Sequence, residues 1–220
     1  MKSTLLIPTL NEIEALRVVM PKLSKSPVDE ILIIDGGSID GTVEYLESLG
    51  YEVLSQKNIG FGGALLEGLN RAAGEIIVEF TSDGSSIPEV IPLLVSKIKK
   101  GKDLVIASRY LDGAISYDDD FVTAFGNKLF TSIVNKVFKG NYTDVLVGFR
   151  AYRKSIAMKL NLDTPGLGWT TQSSIRFLKN GYKVTEIPAD EPKRIGGVRK
   201  MKPIKTGLEI LQLILKEYFI

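Results

Sequence analysis

The chain has 220 residues, 44% of them hydrophobic and 25% charged, a composition that suits one globular domain with a real core and excludes disordered, collagen-like and low-complexity chains. Its 28 Lys and Arg against 26 Asp and Glu leave +2, too small a surplus to imply a nucleic-acid partner, so any basic function must come from local clustering. With no Cys and no His, disulfides, thiolate zinc sites, Cys nucleophiles and imidazole bases are excluded; chemistry falls to carboxylates, hydroxyls, amides, Lys, Arg or a metal held by oxygen.

The N-terminal apolar stretch breaks at Pro8 and lacks the length and cleavage site of a signal peptide, which predicts a cytoplasmic location. No apolar run approaches the ~18 residues of a membrane span, and peripheral attachment to the cytoplasmic face of a membrane stays open. Short apolar runs at Leu5 to Ile7, Glu30 to Ile34, Glu52 to Ser55, Ile76 to Phe80 and Leu104 to Ala107 read as buried strands. Helical patterns separate them at about Ile13 to Ser24, Gly41 to Leu49, Gly62 to Ala73 and Pro88 to Lys99, with Asn11, Asp40 and Pro88 as start signals. This alternation predicts an α/β fold with a mostly parallel, Rossmann-like sheet flanked by helices.

Beyond Ala107 a polar loop from Ser108 to Thr123, expected to be mobile, carries Asp118-Asp119-Asp120. A helix follows with Leu129, Ile133, Val134, Val137 and Phe138 on one face. Strand-like pieces at Gly148 to Arg153 and Tyr182 to Ile187 flank a helix over Gln172 to Lys179. The tail is basic through Lys193, Arg194, Arg199, Lys200, Lys202 and Lys205. It then becomes an amphipathic helix with Ile204, Leu208, Leu211, Leu215 and Tyr218 at three- and four-residue spacing. Such a helix suits a membrane surface, or packing against the domain or a second subunit. No repeat and no Pro-, Gly- or Ser-rich linker divides the chain, so the expectation is one domain over 1–202 with a helical appendage over 203–220.

In parallel α/β sheets ligands bind beyond the carboxyl ends of the strands, so the residues following each strand carry the functional signal. The first strand runs into Pro8-Thr9-Leu10-Asn11-Glu12, where Thr9 and Glu12 also fit a capping box. The second ends in Asp35-Gly36-Gly37-Ser38-Ile39-Asp40-Gly41. It suits ribose or base contacts by the carboxylate, and equally a tight turn with Asp40 capping the helix. Asn58 to Ala64, with Gly60, Gly62 and Gly63, opens a helix whose free N–H groups favour polar ligands, but neither a Walker loop nor a dinucleotide fingerprint is present. The fourth strand ends in Thr81-Ser82-Asp83-Gly84-Ser85-Ser86, one carboxylate among hydroxyls, suited to Mg²⁺ or Mn²⁺ bridging to a diphosphate.

These four segments, with Ser108-Arg109-Tyr110, Asp144 through Gly148-Phe149-Arg150, and Arg194 through Gly197 to Lys200, resemble the family 2 glycosyltransferases of the GT-A fold, in particular the dolichyl-phosphate mannose synthase-like branch. The resemblance implies an inverting transferase moving a hexose from a GDP-mannose- or UDP-glucose-type donor to a polyprenyl phosphate such as dolichyl phosphate. It assigns Pro8, Asn11, Glu12 and Asp35 to the nucleoside, with Gly60 and Gly63 packed beside it. Of the basic tail, Arg194 and Lys200 alternatively grip the diphosphate across the cleft. The family's Asp-x-Asp and following Gln fall on Thr81, Asp83 and Ser85, leaving Asp83 as the charged metal ligand and Ser85 as a weaker one. Arg109 is expected to hold the acceptor phosphate, and Thr123, Asp144 and Arg150 to shape the acceptor side. There, Asp144 and Arg150 also fit a structural pair. The family's second phosphate arginine falls on Asp119, and its general base on Gln172, which takes no proton. Gln172 favours an already anionic acceptor, whereas Asp119 favours a hydroxyl. The acidic run reads either as a base or metal ligand on loop closure or as a solvated face. The losses at Thr81, Ser85 and Gln172 also leave room for a non-catalytic sugar-nucleotide-binding accessory protein.

Overall fold

The computed structural model describes residues 1–23 and 27–220. Among these residues the strands β1 (Ser3–Thr9), β2 (Glu30–Asp35), β3 (Val53–Ser55), β4 (Ile76–Glu79), β5 (Leu104–Ser108), β6 (Arg150–Arg153) and β7 (Val184–Pro188) form one seven-stranded sheet in the order β3-β2-β1-β4-β6-β5-β7. Every residue of β1, β4 and β5 is buried, as expected where helices cover both faces of a sheet and strands lose their alternation. All pairings are parallel except those of β6, which runs antiparallel to both β4 and β5.

The helices α1 (Ile13–Leu23), α2 (Thr42–Ser48), α3 (Phe61–Arg71) and α4 (Ile91–Lys99) are the crossovers, each within a few residues of its expected position. Ser24, expected in the first helix, lies outside the described residues. Pro88 opens a 3₁₀ turn, Pro88–Val90, rather than the α-helix itself. Asp40 caps two helices at once, accepting from the N–H of Thr42 at 3.0 Å and of Ile13 at 3.2 Å. The capping box on Thr9 and Glu12 does not form: among the described residues the Thr9 hydroxyl is buried without a partner, and Glu12 turns to cations from the far end of the chain.

The second half adds α5 (Phe121–Phe138), α6 (Lys154–Lys159), α7 (Trp169–Lys179) and α8 (Pro203–Phe219). The loop expected to be mobile is tied down. Asp120 caps α5 through the Thr123 N–H at 2.8 Å, so the helix starts inside the predicted loop. The buried stripe of α5 is Asn127, Thr131 and Val134, whereas Leu129 and Val137 of the predicted face are exposed. Asn127 is turned inward because its amide donates to Asp144 at 2.7 Å.

A similar shift occurs on α8. It packs against α5 and α7 through Ile210, Leu213, Ile214 and Glu217, while Ile204, Leu208, Leu211, Leu215 and Tyr218 face outward. The helix therefore has two apolar faces. Among the described residues no helix is long and apolar enough to cross a membrane.

Candidate active site

The strand order reverses direction at β1, which has β2 on one side and β4 on the other, and the crevice beyond their carboxyl ends is where such sheets take ligands. Ser82 ties the two strand ends together, its hydroxyl donating to the Pro8 carbonyl at 2.9 Å. Pro8 is buried near the carboxyl end of β1, and its carbonyl is the acceptor in that bond. Asn11, at φ 52°, accepts from the Ile39 N–H at 2.8 Å and so locks the β1–α1 turn onto the β2–α2 turn. Asp35 accepts from the N–H groups of Gly37 at 2.7 Å and Ser38 at 2.9 Å, which is the tight-turn reading of that segment.

The glycines at the start of α3 have a reason of their own. A Cβ on Gly60 would meet the Pro165 carbonyl oxygen at 2.4 Å, one on Gly62 the Thr164 oxygen at 2.0 Å and one on Gly63 the Asn58 oxygen at 2.5 Å. Close approach of the chain's own backbone therefore requires them.

Across the crevice lies a strap, residues 190–200, that follows β7. Its Arg194 Nη2 stands 3.1 Å from Glu12 Oε1 and 3.7 Å from Asp83 Oδ2, and Lys200 Nζ also bonds Glu12 Oε1. The Ile195 N–H donates to the Asp83 carbonyl at 2.8 Å. Arg199 holds Asp118 at 2.6 Å and donates to the Thr123 hydroxyl at 3.2 Å, so Thr123 serves the junction of α5 with the strap. Two buried polar atoms in this region, Thr9 Oγ1 and Glu12 Oε2, have no protein partner among the described residues, so each is open to a bond from a ligand or water.

Asp83 uses Oδ1 to accept from the N–H of Ser85 at 3.1 Å and from its hydroxyl at 2.7 Å, and the Thr81 hydroxyl bonds Ser85 at 3.2 Å. Among the described residues no cluster of three or more acidic side chains could hold a metal alone. One carboxylate with neighbouring hydroxyls does fit Mg²⁺ or Mn²⁺ when substrate phosphates and water fill the remaining positions, the usual habit of Mg²⁺.

On the acceptor side, Arg109 is nearly buried and meets three carboxylates: Asp144 through Nε at 2.7 Å and Nη2 at 3.1 Å, Glu191 through Nη1 at 3.1 Å, and Asp119 through Nη1 at 3.4 Å. Asp119 also receives the Tyr110 hydroxyl. Burial raises the Asp144 carboxyl, but Arg109, Asn127 and backbone N–H donors outweigh it and hold Asp144 below the usual carboxylate range. Burial, helped by Asp119, pushes Glu191 up against the opposing pull of Arg109 and Ser116.

Two expectations are corrected. Arg150 does not reach the acceptor side and does not pair with Asp144. It is fully buried, donating to carbonyls of Val147 at 3.1 Å and Thr170 at 2.8 Å, because β6 turns its first side chain into the interior beside Glu79. Gln172 is not a cleft residue either. It is buried in α7, accepting from the Asp163 and Thr164 N–H groups and donating to Glu217 of α8 at 2.9 Å. Glu191, which the sequence reading did not single out, joins the Arg109 cluster. It lies just after β7, whose parallel register with β5 brings Pro188 level with Ser108 at the same end of the sheet.

A known family profile, Glycosyl transferase family 2, matches residues 4–160, which include Asp83 and the strand ends that border the crevice but not the strap. The chain belongs to glycosyl transferase family 2. A polyprenol monophosphomannose synthase of Mycolicibacterium smegmatis is 28% identical over 91% of this chain and 81% of its own, and an undecaprenyl-phosphate mannosyltransferase of Micrococcus luteus 29% identical over 91% and 88%. A dolichol-phosphate mannosyltransferase of Pyrococcus furiosus is 29% identical over 97% of this chain, which spans 63% of that relative. The GT-A fold is shared with glucosyl-3-phosphoglycerate synthase of Mycobacterium tuberculosis, solved in complex with Mn²⁺, UDP-glucose and phosphoglyceric acid. The TM-score is 0.76 at 20% identity, covering 100% of this chain and 80% of that one. This family 2 chain is a glycosyltransferase, which sets the non-catalytic accessory reading aside.

Proposed function

We propose that this glycosyltransferase moves a hexose, with inversion, from a nucleoside-diphosphate sugar of the GDP-mannose or UDP-glucose type to a polyprenyl phosphate at the cytoplasmic face of a membrane. The observation that carries the donor half is the convergence of Arg194 and Lys200 on Glu12, with Asp83 3.7 Å from Arg194, at the reversal point of the sheet. A diphosphate entering this crevice exchanges the Glu12 carboxylate for its own oxygens as partner of these cations, and they stabilise the charge that grows as the nucleoside diphosphate departs. A divalent cation on Asp83, with Ser85 beside it, would neutralise the same phosphates when bound. The named activities of the relatives support a lipid-phosphate acceptor, and the outward apolar face of α8 supports presentation at a lipid surface.

A second acceptor reading, transfer to a hydroxyl, is favoured by one observation: each nitrogen of the Arg109 guanidinium already donates to a carboxylate.

Calorimetric titration of GDP-mannose and of UDP-glucose, with and without Mn²⁺, on the wild type and Asp83→Ala, tests the donor assignment. The expected result is micromolar binding of one nucleotide, about −8 kcal/mol, weakened both by omitting Mn²⁺ and by the substitution. Binding indifferent to both would remove the metal role, and no binding of either would remove the donor class.

A further inference from the structure

Helix α3 starts without a side-chain cap, since Gly60 has none to give, so the free N–H groups of its first turn need acceptors from elsewhere. The loop before α7 supplies one: the Gly63 N–H donates to the Pro165 carbonyl at 3.1 Å. Gln56 ties the same turn to the end of β2, its side-chain amide donating to the Gly60 carbonyl at 2.7 Å and its backbone N–H to the Asp35 carbonyl at 2.8 Å. The helix start also reaches the crevice beside Asp83, because a Cβ on Gly148 would lie 3.4 Å from Phe61 Cζ and 3.3 Å from Thr81 Cγ2. The loop at residues 163–166 therefore sets where this wall of the crevice stands.

That loop is fixed by the buried amide of Gln172. Its Oε1 accepts from the N–H groups of Asp163 at 2.9 Å and Thr164 at 3.0 Å, and its Nε2 donates to Asp163 Oδ1 at 2.5 Å and to Glu217 Oε1 at 2.9 Å. Two lone pairs and two N–H groups are all that a carboxamide has, so its hydrogen bonding is complete and its orientation is set by these partners. Glu217, buried on α8, is itself held by Arg176 through Nε at 2.9 Å and Nη2 at 2.7 Å. Beside them Gly168 is pinched between α8 and the loop: a Cβ there would stand 2.9 Å from Leu213 Cδ2 and 3.0 Å from Thr164 Cγ2. The seat of α8 and the position of the loop are thus one packing arrangement. A carboxylate at position 172 would accept the two N–H groups equally well but would present like charge to Glu217 and Asp163.

We propose that Glu217 is a positioning residue of the donor site: acting through Gln172 and the loop at residues 163–166, it holds the start of α3 where nucleotide binding requires it, so the seating of α8 governs donor affinity. This rests on the donor reading of the crevice and holds for either acceptor. When Glu217 is removed, Gln172 Nε2 loses its second acceptor and Arg176 its closest carboxylate. The loop then gains freedom that a bound nucleotide must take away again, at a cost in affinity. Glu217 is buried behind the crevice wall, so that cost falls on binding and leaves the transfer step itself unchanged.

The test compares wild type, Glu217→Ala, Glu217→Gln, Gln172→Glu and the exchanged pair Gln172→Glu with Glu217→Gln. Ile98→Ala, in the core under α4, is the destabilised control away from the relay. The readouts are titration of GDP-mannose and UDP-glucose with Mn²⁺, donor KM against kcat with undecaprenyl phosphate, and hydrogen exchange of the Gly63 N–H, all below every unfolding midpoint. Glu217→Ala and Gln172→Glu are expected to weaken the donor about tenfold with kcat within about twofold, and to speed exchange at the start of α3. Glu217→Gln, which keeps an oxygen for Gln172, loses less and serves if the alanine variant does not fold. The exchanged pair sets an amide against a carboxylate again and recovers most of both losses, while Ile98→Ala changes neither. Donor affinity that the relay variants leave at the wild-type value, or that Ile98→Ala lowers as much, overturns the positioning role while the donor reading stands. A wild type that binds neither nucleotide removes the donor reading and the role with it.

Discussion

Asp144 illustrates how one buried charge organises a neighbourhood. Its carboxylate has no exposure and is matched by Arg109 on two edges, by the Asn127 amide and by backbone N–H groups, so its burial cost is offset only while it is ionised. A carboxyl depressed below its ordinary 3.8 adds stability above that pH, and the contribution is lost as pH falls below it toward the folded-state value. Asp144→Asn is therefore expected to cost about 3 kcal/mol at neutral pH, and the gap from wild type should close progressively as pH falls below about 4. Urea midpoints of both proteins between neutral and acid pH check this, and a gap that does not change with pH would contradict it.

Between elements, the start of α3 and the loop at residues 163–166 are fitted so closely that glycine is imposed by packing. Gly62→Ala places a Cβ 2.0 Å from the Thr164 carbonyl oxygen, which forces a backbone shift and should destabilise by about 1–3 kcal/mol. Gly166→Ala, with open space around its Cβ and no positive φ, is the matched control and should stay within about 0.5 kcal/mol of wild type. Denaturant unfolding of the pair decides it; equal losses would mean that this contact is not what selects glycine. The same loop is held by Gln172 through the N–H groups of Asp163 and Thr164, and Gln172 in turn bonds Glu217, so α8 is fastened to the elements around the crevice by buried polar contacts as well as apolar ones.

For the whole molecule, α8 docks with one apolar face and leaves a second one exposed. Ile210, Leu213 and Ile214 dock on the domain, while Leu208 and Leu215 are 57% and 52% exposed, and on the neighbouring α5 Phe121 and Phe125 are 84% and 60% exposed. Moving an apolar side chain of this size out of water contributes about 1.5–3 kcal/mol, so Leu208→Asp with Leu215→Asp should abolish binding to phosphatidylglycerol vesicles with little effect on the unfolding midpoint. Vesicle co-sedimentation checks this, and unchanged binding would remove the outward face from any membrane role.

Hydrophobic patterning placed β1 to β5 and α1 to α4 to within a few residues, because continuous apolar runs and helical spacing are written locally. The post-strand rule singled out Glu12 and Asp83, the basic tail singled out Arg194 and Lys200, the fold brings the four together, and the motifs carried the family. Partners were not written locally. That Glu12 meets Arg194 and Lys200 rather than Thr9, that Arg109 is shared among Asp119, Asp144 and Glu191, and that Arg150 and Gln172 turn inward all depend on segments far apart in the chain. The antiparallel insertion of β6 and the parallel docking of β7 on β5 bring those segments together, and a carboxylate's role follows from the cation it faces once they have done so.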